Sequence, residues 1–145
     1  MKTKSLLFIL AAVLTFYSCS SMCNRKVALK GTVWTTEQSM FVADVGNETI
    51  TITLSFPTGN EYTMHTLCVT PSHPAMYMNP DGTVDRIPGT RTEFTENGTY
   101  TFKKGKLVLN SSEGSTKELD YEGGVLHSNR IFGSDSCIFT RKEQN

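Results

Sequence analysis

The chain has 145 residues and a mass of 16.1 kDa, with 14 Lys and Arg against 14 Asp and Glu, 38% apolar residues and four cysteines. That is one domain's worth of chain, which excludes a large multidomain enzyme. Balanced charge without a long Lys/Arg block argues against a protein built to grip a polyanion, so no nucleic-acid partner is expected.

Lys2 and Lys4 precede an apolar run, Leu6 to Leu14, which continues through Phe16 and Tyr17 to Ser18 and Cys19. A basic start and an apolar core of about 10 residues read as a secretion signal over 1–18, too short for a spanning helix of about 20. The stretch Leu14-Thr15-Phe16-Tyr17-Ser18-Cys19 resembles a bacterial lipoprotein signal, with Phe16 and Tyr17 closer to the relaxed Bacteroidetes form. The resemblance implies that Cys19 becomes the mature amino terminus and carries acyl chains such as palmitate, each buried methylene contributing about 0.8 kcal/mol to membrane attachment. Cleavage after Ser18 without acylation, giving a soluble secreted protein, is the alternative. Residues 19–26 then form a polar tether, 27–142 the domain and 143–145 a polar tail. The tether lacks an acidic run after Cys19 of the kind that would resemble the export signal of surface-exposed Bacteroidetes lipoproteins, so the resemblance implies the periplasmic face of the outer membrane.

Disulfides form outside the reducing cytoplasm. With Cys19 acylated, the mature chain keeps Cys23, Cys68 and Cys137. Cys68 and Cys137 fall in expected strands, where they either pair with each other or stand as buried apolar thiols. Cys23 either stays free or couples to a partner, and no Cys-x-x-Cys spacing marks a redox or metal centre.

From Val27 onward the pattern has period two. Ala28 to Thr35 and Ser39 to Val45 are two candidate strands. In Glu48 to Phe56, Ile50, Ile52, Leu54 and Phe56 share one face and Thr49, Thr51, Thr53 and Ser55 the other, as a strand with one wet face requires. Gly59-Asn60 punctuates, and Tyr62 to Val69 alternates again, completing a hairpin. Pro71, Pro74, Pro80 and Pro88 then exclude a central strand and predict a long loop over 71–89. Shorter strands follow at Thr99 to Phe102, Lys106 to Leu109, Lys117 to Tyr121, Val125 to His127 and Cys137 to Thr140, with turns at Lys103-Lys104-Gly105 and Glu122-Gly123-Gly124. No helical periodicity appears beyond the signal.

Eight or nine short antiparallel strands bury one core by closing into a barrel, and a two-sheet β-sandwich meets the same pattern. The motifs Leu29-Lys30-Gly31-Thr32-Val33-Trp34, Gly98-Thr99-Tyr100, Gly105-Lys106-Leu107-Val108-Leu109, Leu119-Asp120-Tyr121, Gly124-Val125-Leu126 and Phe139-Thr140-Arg141 resemble the small lipocalin-like lipoproteins of Bacteroidetes over most of 27–142. The resemblance implies an all-β, antiparallel lipocalin-like barrel. It also implies that Trp34 packs near Arg141 with cation–π character. The common Gly-x-Trp opening is altered here, with two residues between Gly31 and Trp34.

Chemistry is sparse. His65, His73 and His127 lack the paired spacing of a zinc site, so ordinary surface or half-buried histidines are expected, and neither metal nor cofactor is. A soft-metal group of His73, Met76 and Met78 is the lesser reading, since Met76 and Tyr77 are expected to pin the loop to the barrel. Ser111 to Ser115 and Ser134-Asp135-Ser136 are loop compositions without a nucleophile elbow. Asn79, Asp81 and Asp85 read as turn residues, their spacing being incomplete for a calcium loop.

The expectation is therefore non-enzymatic: a lipid-anchored barrel holding a small apolar or amphipathic ligand. An eight-stranded barrel either fills its centre with side chains or leaves room for one small ligand. Trp34, Phe56, Met64, Tyr100, Phe102 and Tyr121 are the candidate lining residues. The rival is a structural or protein-interaction module of the cell envelope, with Met76, Tyr77, Met78 and Ile87 as apolar anchors in the Pro-rich loop.

Overall fold

The computed structural model describes residues 28–129 and 136–143. The sequence expectations for the signal, Cys19 and Cys23 lie outside the described residues. The elements are β1 (Thr32–Val42), β2 (Gly46–Phe56), β3 (Glu61–Thr70), β4 (His73–Pro74), β5 (Arg86–Ile87), β6 (Thr90–Lys103), β7 (Lys106–Ser111), β8 (Thr116–Glu122), β9 (Val125–Ser128) and β10 (Cys137–Arg141). Eight of them close an antiparallel barrel in the order β1-β10-β9-β8-β7-β6-β3-β2, while β4 and β5 form a separate two-stranded ladder. The all-β, eight-stranded, lipocalin-like barrel is the architecture of this domain, and the sandwich is excluded.

The wall is a meander closed by β1 against β10, through Trp34 opposite Arg141 and Thr35 opposite Thr140. Closure pairs the first strand with the last, so the sheet has no free terminal strand. The turns follow from local chemistry. Between Lys103 and Lys106, which are cross-strand partners, Lys104 and Gly105 have φ of 53° and 79°. Positive φ at both central residues gives the turn whose twist matches its strands, and Gly123 and Gly124 (φ 61° and 91°) make the same kind of turn between β8 and β9.

Alternation fills the interior. Trp34, Ile52, Leu54, Phe56, Tyr62, Leu107, Leu109, Leu119, Leu126 and Phe139 are all buried and belong to one core cluster. Each fully buried Leu or Phe contributes roughly 1.5–3 kcal/mol relative to exposure. The lower end, where β1 begins, is dense in aromatic rings. There Phe56 meets Tyr100 edge-on at 4.9 Å, and Tyr121 meets Trp34 at 6.1 Å and Phe102 at 6.0 Å. Leu29 is buried against this end, and the Trp34 indole N–H donates to Thr32 Oγ1 at 2.8 Å.

Several expectations are corrected. The two front strands are one, because β1 pairs with β2 without a break from Thr32–Phe56 to Val42–Gly46. The strand read as Thr99 to Phe102 is the end of β6, which has 14 residues and pairs with β3 from Glu61–Thr99 to Thr70–Thr90. The segment 71–89 is not wholly irregular, since His73 pairs with Ile87 and Pro74 with Arg86. It does leave the barrel wall, as its prolines require. Met76 and Tyr77 do not pin it down: they are 80% and 75% exposed. Cys68 and Cys137 do not form a disulfide with each other. They sit on β3 and β10, three strand spacings or roughly 14 Å apart along the wall, beyond the Cα separation a disulfide spans.

Candidate functional site

Strand lengths make the two ends of the barrel unlike. β1, β2, β3 and β6 have 11, 11, 10 and 14 residues, against 6, 7, 4 and 5 in β7 to β10. The long strands therefore rise past the short ones at the upper end and expose part of their inward face. Met40 and Phe94, both on inward phase, are 49% and 59% exposed there.

Below this extension the inward positions turn polar. Thr36, Thr66, Ser111 and Ser128 are buried. Tyr62 Oη donates to Glu96 Oε1 at 2.6 Å, and Lys117 Nζ reaches Glu96 Oε1 and Oε2 at 2.8 and 2.6 Å and Ser115 Oγ at 3.2 Å. The Glu96 and Lys117 side chains are 19% and 20% exposed, so the pair is partly withdrawn from water. Burial first, then the hydrogen bond and charge of Glu96, hold the Tyr62 phenol well above the ordinary tyrosine range and keep it neutral. Among the described residues no buried side-chain nitrogen or oxygen lacks a hydrogen-bond partner. The layer is thus a completed polar network inside a barrel.

Gly98 makes the network geometrically feasible. Asn110 O and Tyr62 Cε1 lie so close to it that a Cβ would collide with both. Without a side chain at Gly98, the Tyr62 ring lies across the β6 backbone opposite it and its hydroxyl reaches Glu96 two residues along. Beside the network, a depression of about 310 Å³ opens where β9 is shorter than β8. Lys117 and Ser128 line it together with the outward-phase residues Lys106, Glu118 and Asp120.

The six lining residues expected from the sequence lie elsewhere. Trp34, Phe56, Met64 and Tyr100 are 2%, 1%, 4% and 7% exposed, and Phe102 and Tyr121 are half-buried against the same cluster. Five of them are brought together at the lower end, where they pack on one another. A second depression of about 280 Å³, bounded by Leu29, Lys30, Gly59, Tyr100 and Phe102, touches this cluster from outside. Trp34 and Arg141 are cross-strand partners, as the resemblance implied, but the indole's aromatic neighbour is Tyr121 and Arg141 is exposed.

The loop residues are on the surface. Met78 and Ile87 are 66% and 43% exposed, and Val84 joins them. Asp81 caps its own turn through Thr83, whose hydroxyl and amide hold its carboxyl below the usual range. His65 stands 3.4 Å from Glu93 on the outer wall, both well exposed. His127 lies opposite Asp120 on the outer phase of β9. His73 Nδ1 is 3.2 Å from Pro71 O. Among the described residues no three His, Cys, Asp or Glu side chains are grouped to hold a metal ion.

Near the top of the barrel, Gln38 Nε2 donates to Cys137 Sγ at 2.9 Å. Burial pushes the Cys137 thiol up despite that bond. Tyr62, Glu96 and Lys117 were not singled out by the sequence. One signal for them was present: Lys117 shares a strand phase with Leu119 and Tyr121, which places an ammonium on the core face. No protein-family model matches the chain, and no curated protein matches it in sequence.

Proposed function

We propose that this is a lipid-anchored envelope protein whose lipocalin-like barrel holds one small amphipathic molecule at its upper end, without catalysis. The observation that carries the reading is the gradient along the barrel axis. Inward positions run from a tightly packed aromatic floor to the Tyr62–Glu96–Lys117 layer and then to the exposed Met40 and Phe94. A charged pair facing into a barrel is costly to bury, and an apolar pair of similar volume is often as stable or more so. Its presence is accounted for by a polar group of a ligand that meets it, the ligand's apolar part lying on Met40, Ile50 and Phe94. The acylated Cys19 and its short tether hold the domain at the outer membrane.

The test is native mass spectrometry of the protein gently extracted from its own membrane, followed by denaturing analysis. The expected result is a covalent acyl mass that survives unfolding and a second mass that leaves with it. A folded domain carrying no releasable mass would overturn the binding reading.

A second reading is favoured by the exposure of Met76, Tyr77 and Met78 on a segment outside the wall. A Pro-restricted backbone has less freedom left to lose when the apolar side chains it carries make contact, which suits a protein-interaction surface.

A further inference from the structure

The chain's balanced charge hides an uneven distribution. Lys30, Lys103, Lys104, Lys106, Arg141 and Lys142 come from three separate parts of the sequence and all are exposed at the lower end. Four carboxylates share that end, Glu61, Asp120, Glu122 and Glu143, and Lys106 is already held by two, Asp120 at 3.6 Å and Glu118 from the wall above at 3.9 Å, which leaves Lys30, Lys103, Lys104, Arg141 and Lys142 as the basic face. At the upper end the balance reverses: Arg86, Arg91 and Lys117 stand against seven carboxylates. Arg91 is spent on Glu93 at 2.7 Å and Lys117 on Glu96.

The segment that leads into β1 also lies at the lower end. Leu29 is buried there and Gly31 N–H donates to Phe56 O at 2.7 Å. Cys19 and Ala28 are nine residues apart, a reach of at most about 32 Å when fully extended. An 11-residue strand such as β1 is about 36 Å long. An anchor at Cys19 therefore holds the lower end beside the bilayer with slack in the tether, whereas it reaches the upper end only by running extended along the whole wall.

We infer that the lower end of the barrel is a membrane-facing surface that docks on anionic phospholipid headgroups. This rests on the lipid anchor in the reading above and adds an orientation to it. Each Lys or Arg near an anionic surface is attracted within about a Debye length, and clustered side chains act together. The acidic upper end is repelled by the same surface and faces away. That end also carries the exposed large apolar side chains, including Phe41, Met76, Tyr77 and Phe94. Docking by those side chains instead is the competing orientation.

The experiment uses the acylated protein reconstituted in phosphatidylcholine vesicles with and without phosphatidylglycerol. Lysines are footprinted with an amine-reactive ester and methionines by mild oxidation. The expected result is a several-fold drop in labelling of Lys30, Lys103, Lys104 and Lys142 on the anionic vesicles, reversed by high salt, with Met76 and Met78 unchanged. In K103E/K104E, Lys30 and Lys142 lose that protection while the near-ultraviolet signature of the folded barrel remains. Equal lysine labelling on both vesicles, or protection of Met76 and Met78 instead, would overturn the inference. The anchor is judged separately from intact mass: a chain without acyl mass at Cys19 removes the anchor, while the footprint on added vesicles still decides the basic face.

Discussion

Tyr62 and Glu96 are joined across β3 and β6 by a 2.6 Å hydrogen bond from a fully buried phenol to a carboxylate that also accepts from Lys117. Neither partner of the ion pair is exposed enough for water to replace the other. Removing the ammonium in Lys117→Ala leaves Glu96 with Tyr62 alone, and stability is expected to fall by about 2 kcal/mol, between the values for exposed and buried pairs. The apolar double variant Glu96→Leu/Lys117→Met is expected to recover most of that loss. Urea unfolding of Glu96→Leu, Lys117→Met and the double closes the cycle, and an additive result would show that the pair does not act as a unit.

The same phenol sets an alkaline limit. Its folded pKa lies well above the ordinary 10.0, because burial and then Glu96 disfavour the phenolate. The unfolded chain thus releases this proton near pH 10 while the folded barrel retains it. The contribution is intact below pH 10 and is lost as pH climbs toward the folded value. Thermal midpoints are expected to drop above pH 10 and to drop less steeply in Tyr62→Phe, with Tyr100, also raised by burial, supplying part of what remains.

Gly98 is the position where the wall tolerates no side chain. Gly98→Ala places a methyl against Asn110 O and within 2.8 Å of Tyr62 Cε1, so either the β6–β7 ladder or the Tyr62 ring must move. The expected cost is about 3 kcal/mol, at the upper range for overpacking. Chemical denaturation measures it. A change below about 0.5 kcal/mol, the ordinary range for surface substitutions, would mean the close approach relaxes freely.

The two thiols in the wall should differ in reactivity. Cys137 is 1% exposed and its pKa is raised by burial, so little thiolate forms at neutral pH. Cys68 is partly exposed on β3. Peptide mapping after brief alkylation of the folded protein is expected to find Cys68 modified well ahead of Cys137. Unfolding in urea before alkylation should abolish the difference.

Tyr77→Ser and Met78→Ser are expected to leave the unfolding midpoint within the scatter of surface substitutions, about 0.5 kcal/mol, because both side chains are already in water. If the second functional reading is correct, these variants lose a partner and keep the ligand. A ligand lost along with them would tie the segment to the barrel's contents instead.

Much of the wall was legible in the sequence. Ile50 to Phe56 alternate without interruption because β2 has one dry face, and the Lys104-Gly105 and Gly123-Gly124 turns declare themselves through residues that accept positive φ. β1 was harder. Glu37, Gln38 and Ser39 break the apolar rhythm, yet continuous pairing with β2 carries the strand through them. The first half of β6 was invisible for a related reason: Thr90 to Asn97 rise above the end of β7, remain largely solvated and need no apolar phase. The polar layer was hidden by distance along the chain. Tyr62, Glu96 and Lys117 meet only because the meander bends round into a tube, and no local pattern encodes that meeting.

Thr70 and Thr90, the residues on either side of the Pro-rich excursion, are themselves cross-strand partners. The sheet passes from β3 to β6 as though the residues between them were a single tight bend. A segment with its two ends already clamped side by side asks nothing of the tube in length or sequence, and the closure cost of a longer one grows only slowly. Shortened, lengthened or exchanged, it would leave the wall's register where it is. The excursion is thus an interchangeable cassette: exchanging one contiguous stretch would give this end of the molecule new surface chemistry and leave the tube and its polar layer as they are.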